Sequence, residues 1–123
     1  MKLIVAGGRD FTDYKLLKET LDGFQQEYGN ITEVISGTAL GADRMGERYA
    51  HENNIPIKQF IPDWKGLGKK AGHIRNRQMG DYAKENNGML VTFWDRKSKG
   101  TKGMIEYAIK IGLKNILIYY NVS

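Results

Sequence analysis

Lys2-Leu3-Ile4-Val5-Ala6-Gly7-Gly8 is the stretch on which the fold turns. The apolar run is too short for a signal-peptide core or a membrane span, and it reads as a buried strand. The paired glycines that close it let the chain turn sharply and expose backbone amides without a Cβ in the way. A buried strand ending in a glycine turn is how a βα unit begins, and the remaining chain repeats the pattern.

The first strand, Leu3 to Ala6, precedes a helix with Leu17, Leu21, Phe24 and Tyr28 on one face. The second, Glu33 to Ser36, precedes a helix carrying Ala42, Met45 and Tyr49. Gly29-Asn30 and Asn53-Asn54 are the helix stops, since both residue types tolerate the left-handed conformation. The third strand is Ile57 to Ile61, between Pro56 and Pro62. A loop from Asp63 to about Lys70 leads to a helix with Ile74, Met79, Tyr82 and Ala83. Met89 to Phe93 is the fourth strand, followed by a helix with Met104, Ile105, Ala108 and Ile109, and Asn115 to Tyr119 is the fifth. Right-handed crossovers of these lengths predict an α/β, Rossmann-like three-layer sandwich with a five-stranded parallel sheet in the order 3-2-1-4-5. Ligands in such sheets bind beyond the carboxyl ends of the strands, at the switch between strands one and four.

A chain of 123 residues suits one domain, here 1–123, and leaves no material for a second core. Without cysteine there is neither a disulfide framework nor a thiolate ligand or nucleophile, and with only His51 and His73 a metal site is not expected. No cofactor is implied, no membrane partner is expected, and the cytosol is the default compartment. The net charge of +5 is uneven: residues 1–62 hold 7 basic against 9 acidic side chains, and 63–123 hold 12 against 5. Such a half suggests an anionic partner, either phosphate on a small ligand or a nucleic-acid backbone. Lys84, Lys110 and Lys114 fall on helix backs and ends and read as solvated surface.

Four loops are placed to meet a ligand. In the first, Gly7 and Gly8 precede Arg9, a fork suited to phosphate or carboxylate. The spacing is not G-x-G-x-x-G, so no dinucleotide fingerprint is present. In Ser36-Gly37-Thr38-Ala39-Leu40-Gly41-Ala42-Asp43, small residues clear space above a helix N-terminus, where the dipole favours an anion. Ser36 and Thr38 add hydroxyls, and Asp43 is either a capping carboxylate or an acceptor for ribose hydroxyls or a base edge. The third loop offers Trp64 as a stacking face and Arg75 and Asn76 in the first turns of its helix, while His73 reads as a helix-start hydrogen-bonder. In the fourth, Trp94 and Asp95 end a strand, and Ser98, Gly100 and Thr101 offer hydroxyls and amides to phosphate, although Thr101 also suits a cap and Trp94 a sheet-edge seal.

Together, Gly7-Gly8-Arg9, Ser36 to Asp43, Gly72 to Met79 and Ser98-x-Gly100-Thr101 resemble the SLOG superfamily over essentially the whole chain, in particular its small YspA-like, YpsA-related branch. The resemblance implies a Rossmann-like fold that recognises nucleotides or nucleotide-derived ligands. It also implies a homodimer or higher homo-oligomer, packed through the helix after the second loop and the Asp63–Met79 region. More distantly, Gly72-His73-Ile74-Arg75-Asn76-Arg77-Gln78-Met79 is similar to the M-H-x-R-K-x-x-M motif of the cytokinin-activating phosphoribohydrolases, with Arg75 at the catalytic arginine. Their P-G-G-x-G-T-x-x-E motif is matched at Gly100-Thr101, but Met104 stands where the glutamate belongs, and the nearest acid is Glu106. A displacement of two places turns a side chain to another helix face. Ser36 to Asp43 also resembles the S-G-x-A-x-G-x-D of DNA-processing protein A, which binds single-stranded DNA.

Three functions follow in order of expectation. The first is a protein that binds a nucleotide-derived or other phosphate-bearing small molecule as sensor, carrier or sequestering agent. The second is a hydrolase of a nucleotide N-glycosidic bond using Arg75 and Glu106. The third is a single-stranded nucleic-acid binder resting on the basic half and its aromatics.

Overall fold

The structure is a computed structural model and describes residues 1–121. Its elements run β1 (Lys2–Gly7), α1 (Tyr14–Tyr28), β2 (Glu33–Ser36), α2 (Ala42–Glu52), β3 (Ile57–Gln59), α3 (Trp64–Leu67), α4 (Ala71–Glu85), β4 (Met89–Trp94), α5 (Lys99–Ile111) and β5 (Asn115–Tyr119). All neighbouring strands are parallel and the order is β3-β2-β1-β4-β5, the α/β Rossmann-like architecture expected. β1 pairs with β4 from Leu3–Met89 to Gly7–Phe93 and with β2 only through Ile4–Ile35. β1 leads to α1 on one face of the sheet and its neighbour β4 leads to α5 on the other, so the chains leaving these two strands diverge and open a crevice between them.

Side chains alternate along β1 between two cores. Leu3 and Val5 join Phe11, Leu17, Leu21, Phe24, Ala42 and Tyr49 on the side of α1 and α2. Ile4 and Ala6 join Met79, Ala83, Met104 and Ala108 on the side of α4 and α5. Among the described residues no helix is long and apolar enough to cross a membrane.

Three local expectations are corrected. β3 ends at Gln59 rather than Ile61: Phe60 N still donates to Ser36 O at 2.8 Å, but β2 stops there and offers Ile61 no partner. The segment after Asp63 is helical rather than a loop. Asp63 Oδ1 accepts from Gly66 N at 2.9 Å, which starts α3, and a 3₁₀ turn over Gly68–Lys70 joins it to α4. Ile109 is 73% exposed because α5 turns Thr101, Met104 and Ala108 inward, and Ile109 falls off that face.

Candidate ligand-binding site

Above the carboxyl ends of β1 and β4 lies a cleft of about 460 Å³, within the size range of small-molecule sites. Gly7, Arg9 and Asp10 from the first loop line it, with Ala39 and Asp43 from the second, Arg75 and Asn76 from α4, and Asp95, Lys97, Ser98, Gly100 and Thr101 from the loop into α5. Ala6 and Met104 also line it. Residues from three loops and the first turns of α4 converge because parallel strands release all their carboxyl ends on one edge of the sheet.

The first loop is set by close packing onto the second. Gly8 N donates to Phe93 O at 3.1 Å, and Gly8 O accepts from both Phe11 N and Ala42 N at 3.2 Å. A Cβ on Gly8 would sit 1.8 Å from the hydroxyl of Tyr120, which itself donates to Asp10 Oδ1 at 2.6 Å. These contacts hold Arg9 and Asp10 out over the cleft.

The second loop carries a β-branched residue, Thr38, at φ 65, in the left-handed region that disfavours it. Thr38 N donates to the fully buried Ser36 Oγ at 3.1 Å, so Ser36 braces the loop from beneath. Asp43 neither caps α2, whose N-cap is Gly41, nor faces solvent; its Oδ2 accepts from Ala39 N at 3.0 Å. Arg75 donates through Nη1 to Gly37 O and through Nε to Asn76 Oδ1 at 3.0 Å, while Asn76 Nδ2 donates to Gly100 O at 3.3 Å. A Cβ on Gly37 would lie 2.8 Å from Arg75 Nη1 and 2.9 Å from Asp43 Oδ2, so the missing side chain lets guanidinium and carboxylate converge.

Burial dominates both groups. It pushes the Asp43 carboxyl up to about 6 against the hydrogen bond from Ala39 and the charge of Arg75. It also pushes Arg75 down, with Asp43 opposing and Arg9 adding to the fall. A carboxyl raised above its ordinary value of about 4 holds its proton more tightly in the folded chain than in the unfolded one. Its contribution to stability is then full below about pH 4 and is lost as pH rises through about 6. Thermal melts of wild type and Asp43→Asn across pH 4 to 7 should show wild type losing stability relative to the variant as pH rises. Parallel curves would remove this reading of Asp43.

In the fourth loop, Asp95 Oδ1 accepts from Lys97 N and Ser98 N, both at 2.8 Å, which holds the carboxyl below its usual range. Ser98 rather than Thr101 caps α5: Ser98 Oγ accepts from Thr101 N at 3.3 Å and lies 3.0 Å from Thr101 Oγ1.

Of the residues expected at a ligand, Gly7, Arg9, Asp43, Arg75, Asn76, Asp95, Ser98, Gly100 and Thr101 line this cleft. Gly37 and Thr38 instead line an adjoining concavity that shares Arg9, Ala39 and Arg75. Gly8, Ser36, Gly41 and Ala42 support the loops from behind. Trp94 is turned to the sheet edge, where its Nε1 donates to Ser98 O at 3.1 Å and its ring stands 6.3 Å from that of Tyr119. Glu106 lies in a separate groove between α4 and α5 with His73, Arg77, Tyr107 and Lys110. Sequence reading passed over Asp10, Ala39 and Lys97 as site residues, although each adjoins a residue it did select. Among the described residues no group of three or more His, Asp or Glu is arranged to hold a metal ion.

Comparison with known proteins adds two findings. A family model described as the YspA, cpYpsA-related SLOG family matches residues 1–66. The chain is also similar to the "Gene 61 protein" of Mycobacterium phage D29, 27% identical over an alignment of 119 residues, with 91% of each chain covered. No solved structure matches it significantly.

Proposed function

The chain belongs to the YspA, cpYpsA-related SLOG family, and from that premise we propose that it binds a phosphate-bearing, nucleotide-derived small molecule in the cleft above β1 and β4. Membership points to nucleotide-related binding or processing, and the finer reading draws on the cleft. The observation that carries it is the half-buried Arg75, held by Gly37 and Asn76 and facing a space that Arg9 and Lys97 also line. Arg9 and Arg75 repel each other across a site partly out of water, although Asp43 attracts Arg75 more strongly, and a phosphate between the two arginines relieves that repulsion and gains charge-assisted hydrogen bonds. The N-terminus of α5 adds its dipole in the same direction.

A second reading, cleavage of an N-glycosidic bond in the same ligand, draws on Asp43. A carboxyl raised to about 6 beside a guanidinium is suited to exchange a proton near neutral pH. Asp43, Asp10 and Asp95 are then the carboxylates available to the cleft, in place of Glu106.

Binding to the folded state alone stabilises it, by about 2.7 kcal/mol at a hundredfold excess over Kd. Nucleoside mono- and diphosphates, ADP-ribose and cyclic dinucleotides are the panel for thermal shift, followed by chromatography for released base. A rise of several degrees with the ligand recovered intact supports the binder. A released base establishes the hydrolase. A panel without a shift at millimolar concentration removes both.

A further inference from the structure

Beside the cleft lies a smaller concavity of about 270 Å³, walled by Leu40, Ile61, Pro62 and Trp64. Three of these are among the most exposed large apolar side chains of the described residues: Leu40 is 70%, Ile61 73% and Trp64 52% accessible. They come from the β2–α2 loop, the segment after β3 and the start of α3, so their meeting is a tertiary event. Isolated exposed apolar residues are ordinary, but a cluster around a hollow marks a recognition surface.

Three observations say what covers it. First, the hollow adjoins the cleft, because Arg9, Ala39 and Arg75 line both. Second, those two arginines are the charged residues of its lining and no carboxylate belongs to it, so whatever sits there is joined to something anionic. Third, at about 270 Å³ the hollow is the smaller of the two adjoining spaces and takes one ring system against its apolar wall, with the charged lining of the cleft left for the phosphate. Trp64 is the natural platform. Its helix is capped by Asp63, and a Cβ on Gly72 would lie 3.6 Å from Trp64 Cη2 and 4.0 Å from Arg75 Nη2, so indole and guanidinium flank one point on α4.

We infer that this hollow is the base subsite of the ligand: an aromatic base lies against Trp64, Ile61 and Leu40 while its phosphate reaches past Arg9 and Arg75 into the cleft. The inference rests on the cleft being the phosphate site. It makes the ligand a nucleotide rather than a sugar phosphate, and it gives the affinity two separable parts.

The test measures, by calorimetry, the affinities of the four nucleoside 5′-monophosphates, ADP-ribose and ribose 5-phosphate for wild type, Trp64→Ala and Trp64→Phe. Base stacking on an aromatic side chain leads us to expect Trp64→Ala to weaken the base-bearing ligands roughly five- to a hundredfold. Ribose 5-phosphate should bind both proteins alike, and Trp64→Phe should restore most of the loss. Nucleotide affinity within twofold of wild type in Trp64→Ala, or an equal loss for ribose 5-phosphate, overturns the base subsite and leaves the cleft standing. Failure of wild type to bind any of the six at millimolar concentration overturns the cleft reading and the subsite together. A dimer in light scattering that Trp64→Ala dissociates, with nucleotide affinity unchanged, gives the hollow to a second copy of the chain and overturns the inference.

Discussion

Arg75→Ala should weaken nucleotide binding roughly ten- to a hundredfold, the loss of about 1.5–3 kcal/mol expected when charge-assisted hydrogen bonds to a phosphate are removed. Its guanidinium is half-buried, held on one side by Gly37 O and Asn76 Oδ1, and shared by the cleft and the hollow beside it. Arg75→Lys keeps the charge but loses the planar fork, and should fall between wild type and Ala. Glu106→Ala is the informative contrast, because that side chain is exposed and belongs to the groove between α4 and α5. Its affinity and any turnover should stay within twofold of wild type. Calorimetry with all three variants, each checked for an intact melting transition, decides the matter. Affinity retained in Arg75→Ala, or lost in Glu106→Ala, would place the phosphate elsewhere.

Gly41→Ala should be the most destabilising of the small substitutions near the site. Gly41 sits at φ +78 and ψ −125, a region that L side chains rarely adopt and where an alanine pays about 1–3 kcal/mol. Its Cβ would stand 2.2 Å from Gly8 O and 2.7 Å from the carbonyl carbon of Arg9. Those neighbours are backbone atoms, and Gly8 is already pinned by Phe93, Phe11 and Ala42. Strain and overpacking together suggest a loss of roughly 3 kcal/mol, or a melting temperature lower by roughly 10 °C. Ligand affinity should fall as well, because the atoms pushed aside carry Arg9. Gly23→Ala is the control: it is exposed in the middle of α1 with nothing within 4 Å of the added methyl. It should gain roughly 0.5–1 kcal/mol from the better helix former. A Gly41→Ala protein as stable as wild type would show that the two loops are not packed as tightly as their contacts require.

The sheet was legible before any coordinate because its evidence is local. Leu3 to Ala6 and Met89 to Phe93 are runs whose composition declares burial, and the helix-length intervals between strands permit few parallel arrangements. Chain order then implies the edge on which the loops gather. Arg9, Asp43, Arg75 and Ser98 were named on that basis, and the cleft brings them together. What the local signal missed are features with partners distant in the chain. Nothing around Glu106 says that α5 turns it from the cleft, since the inward face is set by packing of Thr101, Met104 and Ala108. Trp94 shares its place at a strand end with many ligand-stacking residues, yet Ser98 O and Tyr119 hold it at the sheet edge.

The sequence by itself therefore determined the layers, the strand order and the end of the sheet where the loops gather, because periodicity and turn residues act over a few neighbours. Only the tertiary structure decided that Asp43 is buried against Ala39 and Arg75, and that Arg9 and Arg75 stand between two adjoining hollows. It alone gathered Leu40, Ile61 and Trp64 onto one wall. Desolvation and convergence are properties of groups that meet in space from separate loops, and no window along the chain contains both partners.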